Sequence, residues 1–298
     1  MTSSISDQDL SDYNHQGLIP GPNESEDGFL LRADYCQHIR QYLTEKTGLP
    51  IGRDEFVEEP KREEMGTAAR VLYGIFPNWV PIIYDNHKLS FWHGGCAWIF
   101  QSDEESPLSA VLQLRSSLSH RGSVYGFINK QEIIAHEICH VGRMAFEEPI
   151  FEEFFAYATS TSRFRRWLGP IVKNSIESGI FVLLLLMIFF IDLFFLFLGS
   201  EQALQQMMWL KAVPFALLIF GLFRLNKRHQ QLKRCLSHLE ELCDSPSAAS
   251  SIAFRLTDQE IITFGKWSTE EIRDYIDQQK EISLRWRMIY SVYLKGNS

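Results

Sequence analysis

The chain has little cysteine and no paired cysteine motif. Its five thiols, Cys36, Cys96, Cys139, Cys235 and Cys243, are scattered over 298 residues with no CxxC. An odd, dispersed set excludes a disulfide framework and reads as reduced thiols, hence a cytosolic setting for the soluble parts. A basic excess is also missing: 29 Lys and Arg stand against 37 Asp and Glu, a formal charge of -8. Phosphate backbones need a basic face, so nucleic acid is not an expected partner. The first 28 residues lack a basic stretch followed by an apolar run, which argues against a cleaved signal peptide. They read instead as a disordered acidic tail, residues 1–28. No internal repeat is visible.

What the chain does have is apolar sequence concentrated in one block. From Ser178 to Gly199 it is almost unbroken Phe, Leu, Ile and Val, and a second run covers Met207 to Phe223. Each is close to the roughly 20 residues that cross hydrocarbon, so residues 176–224 are expected to form a two-helix transmembrane hairpin and the lipid bilayer is an expected partner. Arg163, Arg165, Arg166 and Lys173 precede the block, and Arg224, Lys227, Arg228, Lys233 and Arg234 follow it, whereas the connecting stretch holds only Glu201. Positive charge stays inside, so an integral protein with two spans and cytosolic N- and C-terminal regions is expected. Lys211 is expected to snorkel to the far interface. Asp192, an acid within a span, calls for a partner or a cavity.

Periodicity gives the remaining elements. Gly28 to Thr47 and Glu59 to Tyr73 read as amphipathic helices. Short β-type runs follow at Val80 to Tyr84, Cys96 to Gln101 and Ala110 to Arg115, and either of the last two can be an edge strand that receives an extended peptide. Thr257 with Glu260 and Ser268 with Glu271 have capping-box spacing. The expected fold class is therefore α+β: a soluble domain over residues 29–172 with a short sheet, the hairpin, and a mainly helical C-terminal region over 226–298.

The chemistry is concentrated between Asn129 and Tyr157. His136-Glu137-Ile-Cys-His140 places two imidazoles four apart on one helical face. Two neutral nitrogens at that spacing can each reach one Zn²⁺ at about 2.0 to 2.1 Å, with the intervening Glu137 beside a metal-bound water as general base. Catalytic zinc needs a third protein donor. Glu148-Pro149 is expected to open the next helix, which then carries Glu152 and Glu153. Glu153 is the expected third donor, Glu152 the runner-up, and Glu147 and Glu148 the remaining competitors. Cys139 lies off the histidine face and reads as core. His87, His93 and Cys96 lack standard zinc spacing.

The stretch from about 125 to 160 resembles the gluzincin class of metallopeptidases, in which HExxH on one helix is paired with a glutamate on the next. Glu153-Phe154-Phe155-Ala156 is similar to the signature around that glutamate. The resemblance implies a small zincin-like domain and a zinc-dependent peptidase acting on a protein or peptide substrate. Its ligands would be His136, His140 and Glu153, with Glu137 as base. In thermolysin-like members an aspartate four positions past the glutamate orients the first histidine. Here that position is Tyr157, so the orienting partner is left open. Tyr157 itself is either an oxyanion donor or packing. A rival reading from a different class is a membrane adapter whose metal site is structural or absent. A further rival joins Asp192 to the zinc centre in an intramembrane protease, but the HExxH pattern lies outside the apolar runs.

Overall fold

Side-chain caps set most helix starts in this chain. The computed structural model describes residues 5–47, 66–90, 93–101, 106–124, 126, 128–171, 175–199 and 201–295, and these are mostly helical with a small sheet. Helix α1 (Asp7–His15) opens on a capping box between Ser6 and Asp9, and α2 (Glu26–Gln37) opens on Ser25. After a break at His38 come α3 (Ile39–Thr47) and α4 (Thr67–Tyr73). The part of the expected second helix between 59 and 65 lies outside the described residues.

Residues 5–28 are not a disordered tail. Ile5, Leu10, Leu18 and Ile19 are buried in the main core, and Asp7 pairs with Arg287 and Lys295 near the other end of the chain. Four apolar side chains give this segment enough buried surface to offset the entropy of ordering it.

Three strands form the sheet, β1 (Ile82–Tyr84), β2 (Gly95–Phe100) and β3 (Ser109–Leu114), in the order β1-β3-β2. β1 runs parallel to β3, with Ile82 opposite Leu112, and β2 runs antiparallel, with Ala97 opposite that same residue. Central β3 is almost wholly buried, including Gln113. Its amide donates to the carbonyls of Asp85 and His87 and accepts from the Trp98 indole, so the buried polar group is satisfied and fixes the β1–β2 turn. Of the two runs proposed as a peptide-receiving edge, only β2 is at an edge. A short hairpin, β4 (Ser123–Val124) and β5 (Ile128–Asn129), then leads into the site helices.

Helix α5 (Lys130–Gly142) is capped by the Asn129 side chain, and α6 (Glu152–Ala158) and α7 (Arg163–Leu168) follow. A 3-10 turn follows at Gly169–Ile171. Beyond it α8 (Ser175–Phe197), α9 (Glu201–Gln206) and α10 (Ala212–Cys243) form the apolar block. Two helical stretches, Gly179–Phe197 and Met208–Cys243, are long and apolar enough to cross a membrane. Side chains such as Ile180, Phe189, Phe194, Phe215 and Phe223 are exposed along them. Two ion pairs clip α8 to the second stretch: Glu177 with Arg224 at 2.9 Å and Asp192 with Lys211 at 2.8 Å. Lys211 therefore answers the question of Asp192's partner.

The region after 226 is helical as expected, with α10 followed by α11 (Pro246–Phe254), α12 (Asp258–Phe264), α13 (Thr269–Ile282) and α14 (Leu284–Ile289). Both capping boxes form. It is not a separate tail. Leu239, Ile252, Phe254, Trp286 and Met288 belong to the same buried cluster as Ile75, Ile134 and Phe155. Arg143, just past α5, donates to the carbonyls of Phe254 and Leu256 and is caged by the rings of Phe146, Phe155 and Phe254. Sequence separations above 100 residues hide such contacts from local pattern reading.

Candidate functional site

Helix α5 buries Ile133, Ile134, Ile138, Cys139 and Val141, which leaves His136 and His140 facing α6. The start of α6 differs from expectation. Ile150 and Phe151 donate their backbone N–H groups to the Asp258 carboxylate, at 2.6 and 3.1 Å, instead of entering a helix at Glu148-Pro149. The helix begins at Glu152, and both candidate acids fall in its first turn.

That placement separates their roles. Glu153 lies on the Nε2 side of the histidines, 3.7 Å from His136 Nε2 and 3.8 Å from His140 Nε2, and the two Nε2 atoms are 3.4 Å apart. Four tetrahedral donors at about 2.0 to 2.1 Å from zinc stand roughly 3.3 Å from one another; the two nitrogens have that spacing, and each faces a different Glu153 oxygen, Oε2 for His136 and Oε1 for His140, a little beyond it. Among the described residues this is the group of His, Cys, Asp and Glu that can hold a metal ion. Glu152 is on the other side: its Oε1 is 2.7 Å from His140 Nδ1. The runner-up acid is thus placed on the far nitrogen of His140, away from the Nε2 group.

Burial alone holds both imidazoles low, and their neighbours then split them. His136, pressed further down by His140 and only partly relieved by a hydrogen bond to the Ala156 backbone, falls to about 3. For His140 the hydrogen bond to Glu152 and the charges of Glu153 and Glu137 outweigh burial and lift it to about 9. The orienting partners left open by Tyr157 are therefore the Ala156 backbone and the Glu152 carboxylate, both on α6. One short helix carries Glu153 and contacts both rings.

Glu137 is buried, and its Oε2 accepts the Ala97 N–H of edge strand β2 at 2.9 Å. Burial raises its carboxyl above the usual range, opposed by His140 and the Ala97 N–H. The contact requires β2 to lie close on α5. Gly94 and Gly95 allow it, since a Cβ at Gly95 would stand 2.9 Å from Ile133 Cγ2. Beside Glu137 and His136 is a cavity of about 190 Å³, also lined by His93, Ile128, Thr159 and the ion pair Glu132–Arg165. Glu132 accepts from Thr161 Oγ1 at 3.0 Å as well.

Tyr157 also faces this cavity. Its ring meets His136 edge to face at 4.7 Å between centroids and packs on the backbone of Gly169. Burial and the Glu153 and Glu137 charges raise its phenol, keeping it a neutral donor. Sequence reasoning missed His93 as a wall of this cavity, since it was weighed only with His87 and Cys96, and these three do not form a metal group among the described residues. Glu132 and Arg165 were missed too: each sits among other polar residues, Lys130 and Gln131 or Arg163 and Arg166, and carries no local signal. Asp192, already held by Lys211, is not part of the site. No family model, curated protein or solved structure matches the chain, so its functional reading rests on the chemistry of this site.

Proposed function

We propose that the chain is a membrane-anchored zinc peptidase, with His136, His140 and Glu153 holding the metal and Glu137 acting as general base. The observation that carries this reading is the convergence of two Nε2 atoms and one carboxylate within 3.4 to 3.8 Å of each other, next to a cavity. Zinc, when bound, supplies Lewis acidity and brings the pKa of a coordinated water from about 15.7 to near 7. Glu137 takes the proton of the attacking water and returns it to the leaving amine. One of its oxygens is held by the Ala97 N–H, which aims the carboxylate without consuming its second oxygen. Tyr157 is within reach to donate to the negative charge that develops on the carbonyl oxygen.

In this reading α8 and α10 span a bilayer, which accommodates the apolar side chains they leave exposed. The packing of residues 226–295 on the domain that precedes the hairpin fits an even number of crossings, and the flanking arginines and lysines fit a cytosolic site. The test is metal analysis together with peptide cleavage on the full chain and on Glu137→Ala. Near-stoichiometric zinc in both, with cleavage by the unsubstituted chain only, is the expected result. Zinc without cleavage by either would favour a membrane adapter with a structural metal site.

A further inference from the structure

Helix α7 has two faces with different tasks. One bears Arg165, whose guanidinium pairs with Glu132 at 2.8 Å and donates to Ser160 Oγ at 3.1 Å in the cavity wall. The other bears Phe164 and Trp167, three residues apart and therefore on one side. They are 70% and 46% exposed, beside the exposed cations Arg163 and Arg166. Large aromatic groups this open on a short helix call for an occupant.

The position of α7 along α10 identifies that occupant. Just past α7, Ile171 packs against Gly221, with its carbonyl accepting from Arg224 Nη2 at 3.1 Å. Gly221 lies within the apolar stretch and Arg224 is the first cation after it. The Trp167 carbonyl accepts from His229 Nε2 at 2.9 Å, and the indole stacks on that imidazole at 5° between planes. His229 is six residues past Phe223, where the apolar run ends, and four past Leu225, or about 6 to 9 Å along the helix. Polar headgroup layers occupy about 5 to 8 Å on each side of the hydrocarbon. Trp167 thus sits at the outer edge of the headgroup layer, beside the exposed cations Arg163 and Arg166.

We propose that the Phe164–Trp167 face of α7 docks on an anionic phospholipid surface, making α7 the strut that seats the cavity at the bilayer. The proposal rests on α8 and α10 being spans. Its occupant is lipid, on two grounds: the face combines exposed aromatics with exposed cations, and its contacts with Gly221, Arg224 and His229 hold it beside the end of the apolar run, at the outer edge of the headgroup layer.

The experiment places one nitroxide label at a time on the full chain in vesicles of phosphatidylglycerol and phosphatidylcholine, at Phe164→Cys, Phe190→Cys and Leu31→Cys, with label on the unsubstituted protein as background. Collision rates with oxygen and with a water-soluble nickel chelate report depth. The expected result is oxygen-rich, nickel-poor exposure at 164, intermediate between deep 190 and aqueous 31, moving toward the aqueous value when Arg163→Glu and Arg166→Glu are added. A label at 164 as nickel-accessible as at 31, with 190 still deep, overturns the docking alone. A label at 164 shielded from both quenchers marks a protein partner or a second copy and also overturns it. An aqueous 190 overturns the spans and the docking together, while the metal site stands or falls separately by metal analysis.

Discussion

Glu152 Oε1 accepts from His140 Nδ1 at 2.7 Å, while Glu153 faces Nε2 of the same ring. Adjacent acids on one helical turn thus occupy opposite sides of one imidazole. In the proposed metal site Glu153→Gln would remove a ligand, whereas Glu152→Gln would remove only the group that orients one. The second variant is expected to bind zinc about 10 to 100-fold more weakly than the unsubstituted chain and to keep a measurable site. The first should lose more. Competition against a chelator of known affinity gives both numbers, and equal losses would refute the assignment of roles.

Gly169 lies against the face of the Tyr157 ring, and a Cβ there would stand 2.3 Å from it. Gly169→Ala must push the ring toward His136, whose imidazole it contacts at 4.7 Å. Overpacking of this kind costs about 1 to 3 kcal/mol. The melting temperature should fall and zinc affinity with it. Gly179→Ala, at a position with nothing within 4 Å of the added methyl, is the control that should change neither.

Asp258 ties the chain after the hairpin to the loop before α6, through the N–H groups of Ile150 and Phe151. Asp258→Ala leaves two amides without their acceptor and should destabilise by about 1 to 3 kcal/mol. Because that loop sets where Glu152 and Glu153 fall, zinc affinity should drop as well. Removing residues 245–298 should abolish zinc binding rather than release an inhibited enzyme. Full zinc occupancy in that truncation would show that the C-terminal helices are dispensable for the site.

Glu260 is buried, and burial alone would raise its carboxyl. The Arg285 guanidinium on both oxygens, together with N–H donors from Thr257 and Trp286, outweighs burial and holds it below the ordinary value of 4.5. A carboxyl depressed in the folded state binds its proton more readily when unfolded. Its contribution is therefore complete above pH 4.5 and lost as pH falls through the depressed value. Urea midpoints should decline below pH 4.5, and Glu260→Gln should flatten that part of the profile while lowering stability at pH 7.

The sequence carried those parts of the molecule that depend on near neighbours. Histidines four apart must share a helical face, three short alternating runs became strands within two residues of their expected ends, and Thr257 and Ser268 announced their helices through Glu260 and Glu271. Where distant residues intervene, local reading went astray. Pro149 has the chemistry of a helix start, but Asp258, over 100 residues away, accepts from the Ile150 and Phe151 amides, and the helix begins only at Glu152. The N-terminal segment looked polar on average, yet its four buried aliphatics and the Ser6–Asp9 box outweigh that average. Tyr157 in place of an aspartate left His136 without a visible orienting partner, because a backbone carbonyl serves that role and has no signature in side-chain sequence.

The Asp258 tether also dictates an order of events during biosynthesis. The ribosome releases the residues bearing the histidines and Glu153 well before it has made the acid that fixes their loop, and the whole apolar hairpin is translated in between. A nascent chain halted at any earlier point lacks that brace. If the site takes a metal as proposed, loading is thereby deferred until the hairpin has left the ribosome and the last quarter of the polypeptide has folded back.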